Sequence, residues 1–358
     1  ALLVLGGLFY LAPIVAFTFG YQLSRRIGTA GVYRWMGFYV AFSLVWFIGI
    51  YLNAIGVPWR VLGEVGVGQI IYDVGAPTKA NAGFYRAAEI AAWHVATASC
   101  FLYMVLNGRK LSATKIALVV VVVLFLLGVG VATGRRKMLV QVVIFASTYL
   151  FLITWFVRGK ARLGILALLL GGFLFGAVLT AVGPDGRDGS FDAPSSSNQS
   201  ASGGQKDQFD AWRVRGLTVF KDIPDRFLAL GYLPVVSAVS DYGLFGAGLG
   251  YGAQGAQHYG AGFAAVRGSS EGGLGKLALD LGLPGLAAFM WLCYAMAKMI
   301  WRRLHALGRG SPTHARLAFG FAGILVANVA TFSVATQAFG DVLILLMLGW
   351  MVGFLLAL

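Results

Sequence analysis

Apolar segments long enough to cross a lipid bilayer dominate the sequence. A spanning helix requires about 20 consecutive apolar residues, and about nine segments come close to that length. They are residues 1–22, 33–54, 86–106, 116–133, 138–157, 163–182, 274–300, 317–337 and 342–358. Hydrophobic residues make up 58% of the chain and charged residues 12%, a balance that no soluble core can hide. We therefore expect an all-α, polytopic transmembrane bundle.

The positive charge of the gaps between these segments predicts their orientation. Four alternate gaps are cationic, and by the positive-inside rule they face the cytoplasm. Their cations are Arg25, Arg26, Arg34, Arg109, Lys110, Lys115, Arg158, Lys160, Arg162, Arg302, Arg303, Arg309 and Arg316. Residue 1 then lies on the outer side, which predicts an odd number of further helices upstream.

The outer side receives one long loop, which divides the chain into three regions. N-terminal transmembrane helices occupy residues 1–182, the loop occupies 183–273, and C-terminal transmembrane helices occupy 274–358. Residues 183–207 are rich in Gly, Ser and Asp, a composition typical of flexible segments. Residues 208–273 carry apolar residues at helical spacing and then a glycine-rich stretch. We expect amphipathic helices on the outer interface there, and an interfacial segment within the other outer gap, 55–85.

Composition also limits the partners. The net charge of +14 suits contact with anionic membrane lipid or an anionic substrate. The basic residues are spread over many loops, which argues against nucleic acid. No His, Cys, Asp or Glu constellation has metal-ligand spacing, so we expect neither a metal nor a cofactor. Cys100 and Cys293 fall inside apolar segments, which predicts buried free thiols.

Clusters of cations on the outer side are the first candidates for binding. Arg135, Arg136 and Lys137 form a short outer turn. They either snorkel to the lipid headgroups or clamp an anion, since paired arginines bind phosphate bidentately. In the long loop, Arg226 precedes Phe227, and Arg213 and Arg215 are rivals for any role assigned to it.

The glycine-rich stretch contains Gly246, Gly248 and Gly250. Residues 250–255 match a dinucleotide fingerprint, which we reject because a membrane loop rather than a βαβ unit surrounds them. The stretch is either a tight-turning connection or a backbone that approaches a ligand or helix closely.

Acids and histidines near the outer boundary are candidates for acid–base chemistry. Glu271, near the start of the seventh predicted helix, is either a helix-dipole acid or a general base whose pKa rises on partial desolvation. His258 is the alternative base. Lys276 and Asp280 have i, i+4 spacing and can pair within one helix. Arg86, Glu89 and His94 form a further cluster, in which Arg86 and Glu89 can pair.

Taken together, these features resemble the superfamily of bacterial O-antigen ligases and O-antigen polymerases. An arginine in a large outer loop, Arg226, is followed by Leu-Phe-Gly-Ala-Gly-Leu-Gly at 244–250, a polar residue at Glu271 and Leu-Gly-Leu-Pro-Gly at 281–285. An earlier arginine at the outer end of a helix is matched by Gly134-Arg135-Arg136. The motifs span about 70 residues.

The resemblance implies a helical fold like glycosyltransferases of the C class, in the bacterial inner membrane, with a periplasmic active site. The donor would be a glycan on undecaprenyl diphosphate, and Arg135, Arg136, Arg226, Arg213 or Arg215 would hold its diphosphate. Glu271 or His258 would deprotonate the acceptor glycan, and Gly246, Gly248 and Gly250 would shape the glycan path. No metal or nucleotide sugar would be required. A chain-length regulator is a further candidate partner.

Three alternatives stay open. The ligase branch transfers to lipid A core or to protein and uses a histidine near the position of Glu271, so Glu271 favours a polymerase. A flippase or transporter predicts broken helices and repeated halves with polar residues at mid-membrane depth. A purely structural subunit leaves the outer cations unexplained.

Overall fold

The computed structural model describes residues 2–57, 69–73, 76–107, 111–135, 137–156, 231–251, 272–308, 310–334 and 337–358. Eight helical elements account for most of them. They are α1 (Leu2–Ala54), α2 (Ala88–Leu106), α3 (Ala113–Ala132), α4 (Lys137–Phe156), α5 (Leu233–Tyr242), α6 (Gly273–Gly308), α7 (Pro312–Val334) and α8 (Val342–Ala357). A short 3-10 turn, Gln337–Gly340, joins α7 to α8.

Within the part of the chain that the structure describes, five helices are long and apolar enough to span a membrane, and two more are apolar but shorter. The five spans are Gly6–Ala54, Ala88–Leu106, Ala113–Ala132, Gly273–Gly308 and Pro312–Ser333; the two shorter helices are Val140–Phe156 and Val342–Ala357. Large apolar side chains such as Phe38, Val121 and Trp291 are 62–71% exposed, as expected for surfaces that face lipid. The chain is a multi-pass membrane protein. The predicted helix 163–182 lies outside the described residues.

Two of the long helices are broken at a glycine. In α1 the break is at Gly28, with φ 62°, between the first two predicted spans. In α6 it is at Gly282, with φ 67°, two residues before Pro284. A left-handed φ interrupts the helical hydrogen-bond ladder, and glycine adopts it without the steric cost of a Cβ. Each of these helices therefore comprises two segments with different directions.

The most extensive helix pair is α1 with α8, and glycine makes its close approach possible. A Cβ on Gly20 would lie 2.8 Å from the backbone of Trp350, and one on Gly353 would lie 2.5 Å from the Phe17 carbonyl. Small residues at helix crossings are typical of membrane proteins, where packing replaces the hydrophobic effect as the driving force. The aromatic core lies beside this pair, where buried Phe101, Phe321 and Phe354 meet.

The first outer gap forms a structure that the sequence analysis did not predict. Strands β1 (Gln69–Asp73) and β2 (Ala76–Ala80) pair antiparallel, from Gln69 opposite Ala80 to Asp73 opposite Ala76. Apart from this hairpin, the regular elements of the described residues are helical, as the predicted all-α class requires, and the interfacial position of 55–85 stays a prediction. A two-stranded hairpin is marginal on its own, and here it leads directly into Asn81, which is hydrogen-bonded to the helix bundle.

The α1 break, the start of α7 and the ends of α4, α6 and α8 meet at one end of the bundle, beside three of the predicted cationic gaps. Arg25 beside the α1 break, His314 at the start of α7 and Leu358 after α8 line one groove. The end of α4 joins them through Phe156, whose ring centroid lies 5.0 Å from that of His305 near the end of α6. We call this the cationic end. The starts of α2, α4 and α6 consequently lie at the opposite end.

The two cysteines are both free thiols, as predicted. Cys100 is buried in the core, whereas Cys293 on α6 is only partly buried. The expectation of a buried thiol is therefore confirmed for Cys100 alone.

Candidate functional site

The glycine-rich segment folds back onto the break in α6. It follows α5, whose Ala238 packs against Ala278 and Leu279 of α6. Four of its glycines adopt left-handed φ angles between 72° and 105°: Gly243, Gly246, Gly248 and Gly250. The segment is therefore a series of turns rather than an extended linker.

Two reciprocal backbone hydrogen bonds join this segment to α6. The Ala247 N–H donates to the Leu279 carbonyl at 2.7 Å, and the Leu283 N–H donates to the Leu244 carbonyl at 2.9 Å. The break at Gly282 frees groups that a continuous helix would pair internally, and the loop takes up two of them. We call residues 243–251 together with 279–283 the glycine clasp.

The clasp tolerates no side chain at its two central glycines. A Cβ on Gly246 would lie 2.5 Å from the Leu279 carbonyl oxygen and 2.9 Å from the Gly282 nitrogen. A Cβ on Gly282 would overlap the Leu244 carbonyl oxygen. Both residues also have left-handed φ. The backbone conformation and the lack of room for a Cβ are therefore two independent reasons for glycine at each position. Gly248 differs, since a Cβ there would meet nothing within 4 Å.

The start of α1 forms the wall of the clasp. Gly6 lies so close to Gly250 that a Cβ on Gly6 would be 2.5 Å from the Gly250 nitrogen. One turn further along, the Tyr10 hydroxyl donates to Asp280 Oδ2 at 3.1 Å. The clasp is therefore enclosed by the first segments of α1 and α6, which are 270 residues apart in sequence.

Lys276 and Asp280 form a charged cluster in the first turns of α6, where Asp280 belongs to the clasp. Asp280 is only 3% exposed, and Lys276, one turn earlier on α6, interacts with it electrostatically. The Lys276 ammonium also lies 5.2 Å from the centre of the Phe9 ring. Buried charges require such partners because desolvation otherwise costs several kcal/mol. Lys276 and Asp280 lie one turn apart on α6, as their spacing predicts, and Tyr10 is a partner of Asp280 that sequence spacing could not reveal.

A second charged pair lies where α2 begins and α3 ends. Arg135 Nη2 lies 2.5 Å from Glu89 Oε1, with the two side chains 13% and 9% exposed. The Arg135 N–H donates to the buried Thr133 hydroxyl at 3.3 Å. Glu89 thus pairs with Arg135, whereas the sequence suggested Arg86 as its partner. Arg86 is exposed.

Asn81 fixes the hairpin to this region and was not among the sequence candidates. Its Nδ2 and its backbone N–H donate to the Ala132 carbonyl at 2.7 and 3.3 Å.

His94, which the sequence offered as a candidate, lies inside the bundle. The Tyr39 hydroxyl is 2.7 Å from His94 Nδ1, and the Tyr85 ring stacks on the imidazole with centroids 4.9 Å apart. Burial raises the pKa of the Tyr85 phenol. His94 is therefore a core residue.

Several predicted site residues lie outside the described residues. They are Arg136, Arg213, Arg215, Arg226, His258 and Glu271, and of Lys137 only the backbone is described. Their roles stay predictions. Among the described residues no group of three or more His, Cys, Asp or Glu side chains could hold a metal ion.

Comparison with known proteins adds no relative. No protein-family model matches the chain, and neither the curated proteins nor the solved structures contain a match to it.

Proposed function

We propose that the protein is an inner-membrane glycosyltransferase that polymerises oligosaccharide units carried on undecaprenyl diphosphate. In this proposal about nine helices span the membrane, the cationic end faces the cytoplasm, and the clasp and the 183–273 loop face the periplasm. Transfer of the glycan to lipid A core or to protein is the alternative within the same class.

The glycine clasp is the observation that supports this proposal. Leu244–Gly250 and Leu281–Gly285 are two of the motifs on which the resemblance rests. In the structure the Leu283 N–H of the second donates to the Leu244 carbonyl of the first, and the Ala247 N–H of the first donates to Leu279, two residues before the second. A flexible connection would not require left-handed glycines packed against a helix break. At Gly248 a Cβ would meet nothing within 4 Å, and an open backbone held in place at a membrane boundary suits the close approach of a bulky ligand such as a glycan.

The proposed reaction transfers a glycosyl group between two oxygens. The bond between the anomeric carbon and the diphosphate oxygen breaks, and a bond forms from that carbon to an acceptor hydroxyl oxygen. The hydroxyl proton passes to Glu271 or, alternatively, to His258, and undecaprenyl diphosphate leaves. Arginine side chains favour this step by neutralising the charge that develops on the leaving diphosphate.

Within the chain, the Glu89 carboxylate competes with a diphosphate for the Arg135 guanidinium. The guanidinium is paired with Glu89 and mostly buried, so a diphosphate must displace the Glu89 carboxylate to bind it. In the other case Arg136 and the loop arginines bind the diphosphate, and Arg135 is structural. The two cases differ in the response to Glu89→Gln. Displacement predicts a lower KM for the donor, and a structural role predicts an unchanged KM with a less stable protein.

The breaks in α1 and α6 bear on the transporter alternative, since discontinuous helices form ion sites in many transporters. At the α6 break two backbone groups, the Leu283 N–H and the Leu279 carbonyl, are already bonded to the glycine-rich segment, at Leu244 and Ala247. The α1 break lies next to Arg25 and Arg26, between two spans rather than at mid-membrane depth. This arrangement favours surface chemistry over an ion pathway.

Single substitutions in the native host, with polysaccharide chain length read on a gel, test the proposal. We expect Gly246→Ala, Arg226→Gln and Glu271→Gln to shorten or abolish the ladder. Gly37→Ala is the matched control, because Gly37 is helical and a Cβ there meets nothing within 4 Å. Normal ladders from all the variants, at normal protein levels, would contradict the proposal.

A further inference from the structure

A groove on one face of α6, after the break at Gly282, lies towards the cationic end. It is lined by Trp291, Tyr294, Ala295, Lys298, Met299 and Arg302, and its volume is about 460 Å³. These residues recur every three or four positions, so they occupy one face of the helix. Ala295 is small and lies between larger neighbours, and it forms the floor of the groove.

The depth of the groove follows from helix geometry. From Leu283, the last residue of the clasp, to Arg302 the helix rises about 28 Å at 1.5 Å per residue, close to the 30 Å thickness of the hydrocarbon core. Arg302 therefore lies at one membrane boundary when Leu283 lies at the other. Trp291 is about 16 Å from Arg302 along the axis, which is near the mid-plane. The groove thus spans the depth of a single leaflet.

The groove is apolar towards the mid-plane and cationic at the boundary. Trp291 and Tyr294 are 71% and 64% exposed, and they flank the part that faces acyl chains. Lys298 and Arg302 are exposed one turn apart, and the Lys298 ammonium lies 5.9 Å from the centre of the Tyr294 ring. A Lys side chain can reach the headgroup level from a position one turn inside the boundary.

No acidic residue lies near Lys298 and Arg302 in the sequence. None of the 14 acidic residues lies within residues 281–340, which contain both cations, and the ion pair found among the described residues, Arg135 with Glu89, lies elsewhere. Phosphate groups of lipids are the anions present at that depth of a membrane.

We propose that this groove is a binding site for one anionic diacyl phospholipid of the leaflet at the cationic end. Lys298 and Arg302 bind the phosphate, and the acyl chains lie along Tyr294 and Trp291 over Ala295. The site is independent of the glycosyltransferase proposal, because it lies at the opposite boundary from the clasp.

Native mass spectrometry of the purified protein in detergent, titrated with phosphatidylglycerol or phosphatidylcholine, tests the site. We expect one phosphatidylglycerol to bind preferentially. Lys298→Gln and Arg302→Gln should each weaken its binding about fivefold. Ala295→Phe should abolish the preference by filling the floor without changing the charge. Glycerol 3-phosphate, which has the anion but no chains, should not compete.

Arg303→Gln is the matched control for charge. Arg303 is exposed at the same depth, and it points about 100° away around the helix from Arg302. Its replacement should leave the affinity unchanged within twofold. Equal losses for Arg303→Gln and Arg302→Gln would show diffuse attraction and overturn the proposal. Equal binding of phosphatidylcholine, or a dimer that Ala295→Phe dissociates, would overturn it as well.

Discussion

The Glu89–Arg135 ion pair offers the sharpest test of how the bundle is stabilised at the end that contains the clasp. Both side chains are less than one seventh exposed, so removing one partner leaves the other charge largely desolvated. We therefore expect Arg135→Gln to lower the free energy of unfolding by about 3–5 kcal/mol, the range for a buried pair that loses one member.

The two substitutions should not be additive. Glu89→Gln keeps an acceptor for the guanidinium but loses the charge, and should cost about 1–3 kcal/mol. Once Glu89 is neutral, Arg135→Gln no longer strands a carboxylate, so the double variant should cost no more than Arg135→Gln alone. The resulting coupling energy between Glu89 and Arg135 is about 1–3 kcal/mol.

Unfolding by SDS in mixed micelles, followed by circular dichroism, measures all four members of the cycle. Arg86→Gln is the control, because Arg86 is exposed in the same region and exposed ion pairs contribute less than about 1 kcal/mol. Additivity of the two single changes within about 0.5 kcal/mol would refute the reasoning. An equally large loss from Arg86→Gln would refute it too.

Three further substitutions test the packing, each by the same unfolding measurement. Gly282→Ala should cost at least about 1–3 kcal/mol from its left-handed φ alone, whereas Gly37→Ala should stabilise by about 0.5–1 kcal/mol; equal effects would contradict the clasp. Tyr10→Phe removes the hydroxyl that donates to buried Asp280 and should cost about 1–3 kcal/mol. Trp93→Phe should cost a similar amount, because the indole N–H donates to the buried Asn328 Oδ1 on α7 at 2.6 Å. An unchanged free energy of unfolding in Tyr10→Phe or in Trp93→Phe would contradict the hydrogen bond that the variant removes.

The helices were predictable because lipid leaves the backbone few alternatives. Without water to satisfy peptide groups, an apolar run of 20 residues must pair its own N–H and C=O groups as a helix. The described spans accordingly begin and end near the predicted positions. The hairpin lies between predicted spans, so this rule could not predict it. Residues 69–73 read Gln-Ile-Ile-Tyr-Asp, and the two isoleucines and the tyrosine have high β propensity.

The partner of Glu89 shows where a helical spacing rule fails. Arg86 and Glu89 have i, i+3 spacing, but α2 begins at Ala88 and Ala87 is extended. Arg86 is therefore outside the helix, and the rule for neighbouring turns does not apply to it. The actual partner, Arg135, is 46 residues further on, and local sequence carries no signal for that contact.

The glycine clasp could be predicted only in part. A glycine-dense loop indicates that a backbone makes tight turns or approaches something closely. It does not indicate what is approached. The structure shows that the neighbours are the Leu279 carbonyl, the α6 break and Gly6 of α1. Tyr10 carried no signal at all, because a tyrosine in an apolar run is typical of any membrane helix.

The most direct test of the proposed function uses the purified protein in liposomes with an oligosaccharide on undecaprenyl diphosphate, in the absence of nucleotide and in the presence of a metal chelator. The account predicts longer lipid-linked glycans together with released undecaprenyl diphosphate, and loss of both products in Gly246→Ala but not in Gly37→Ala. Intact donor after prolonged incubation with folded protein, or movement of the donor across the bilayer without new glycosidic bonds, would contradict it.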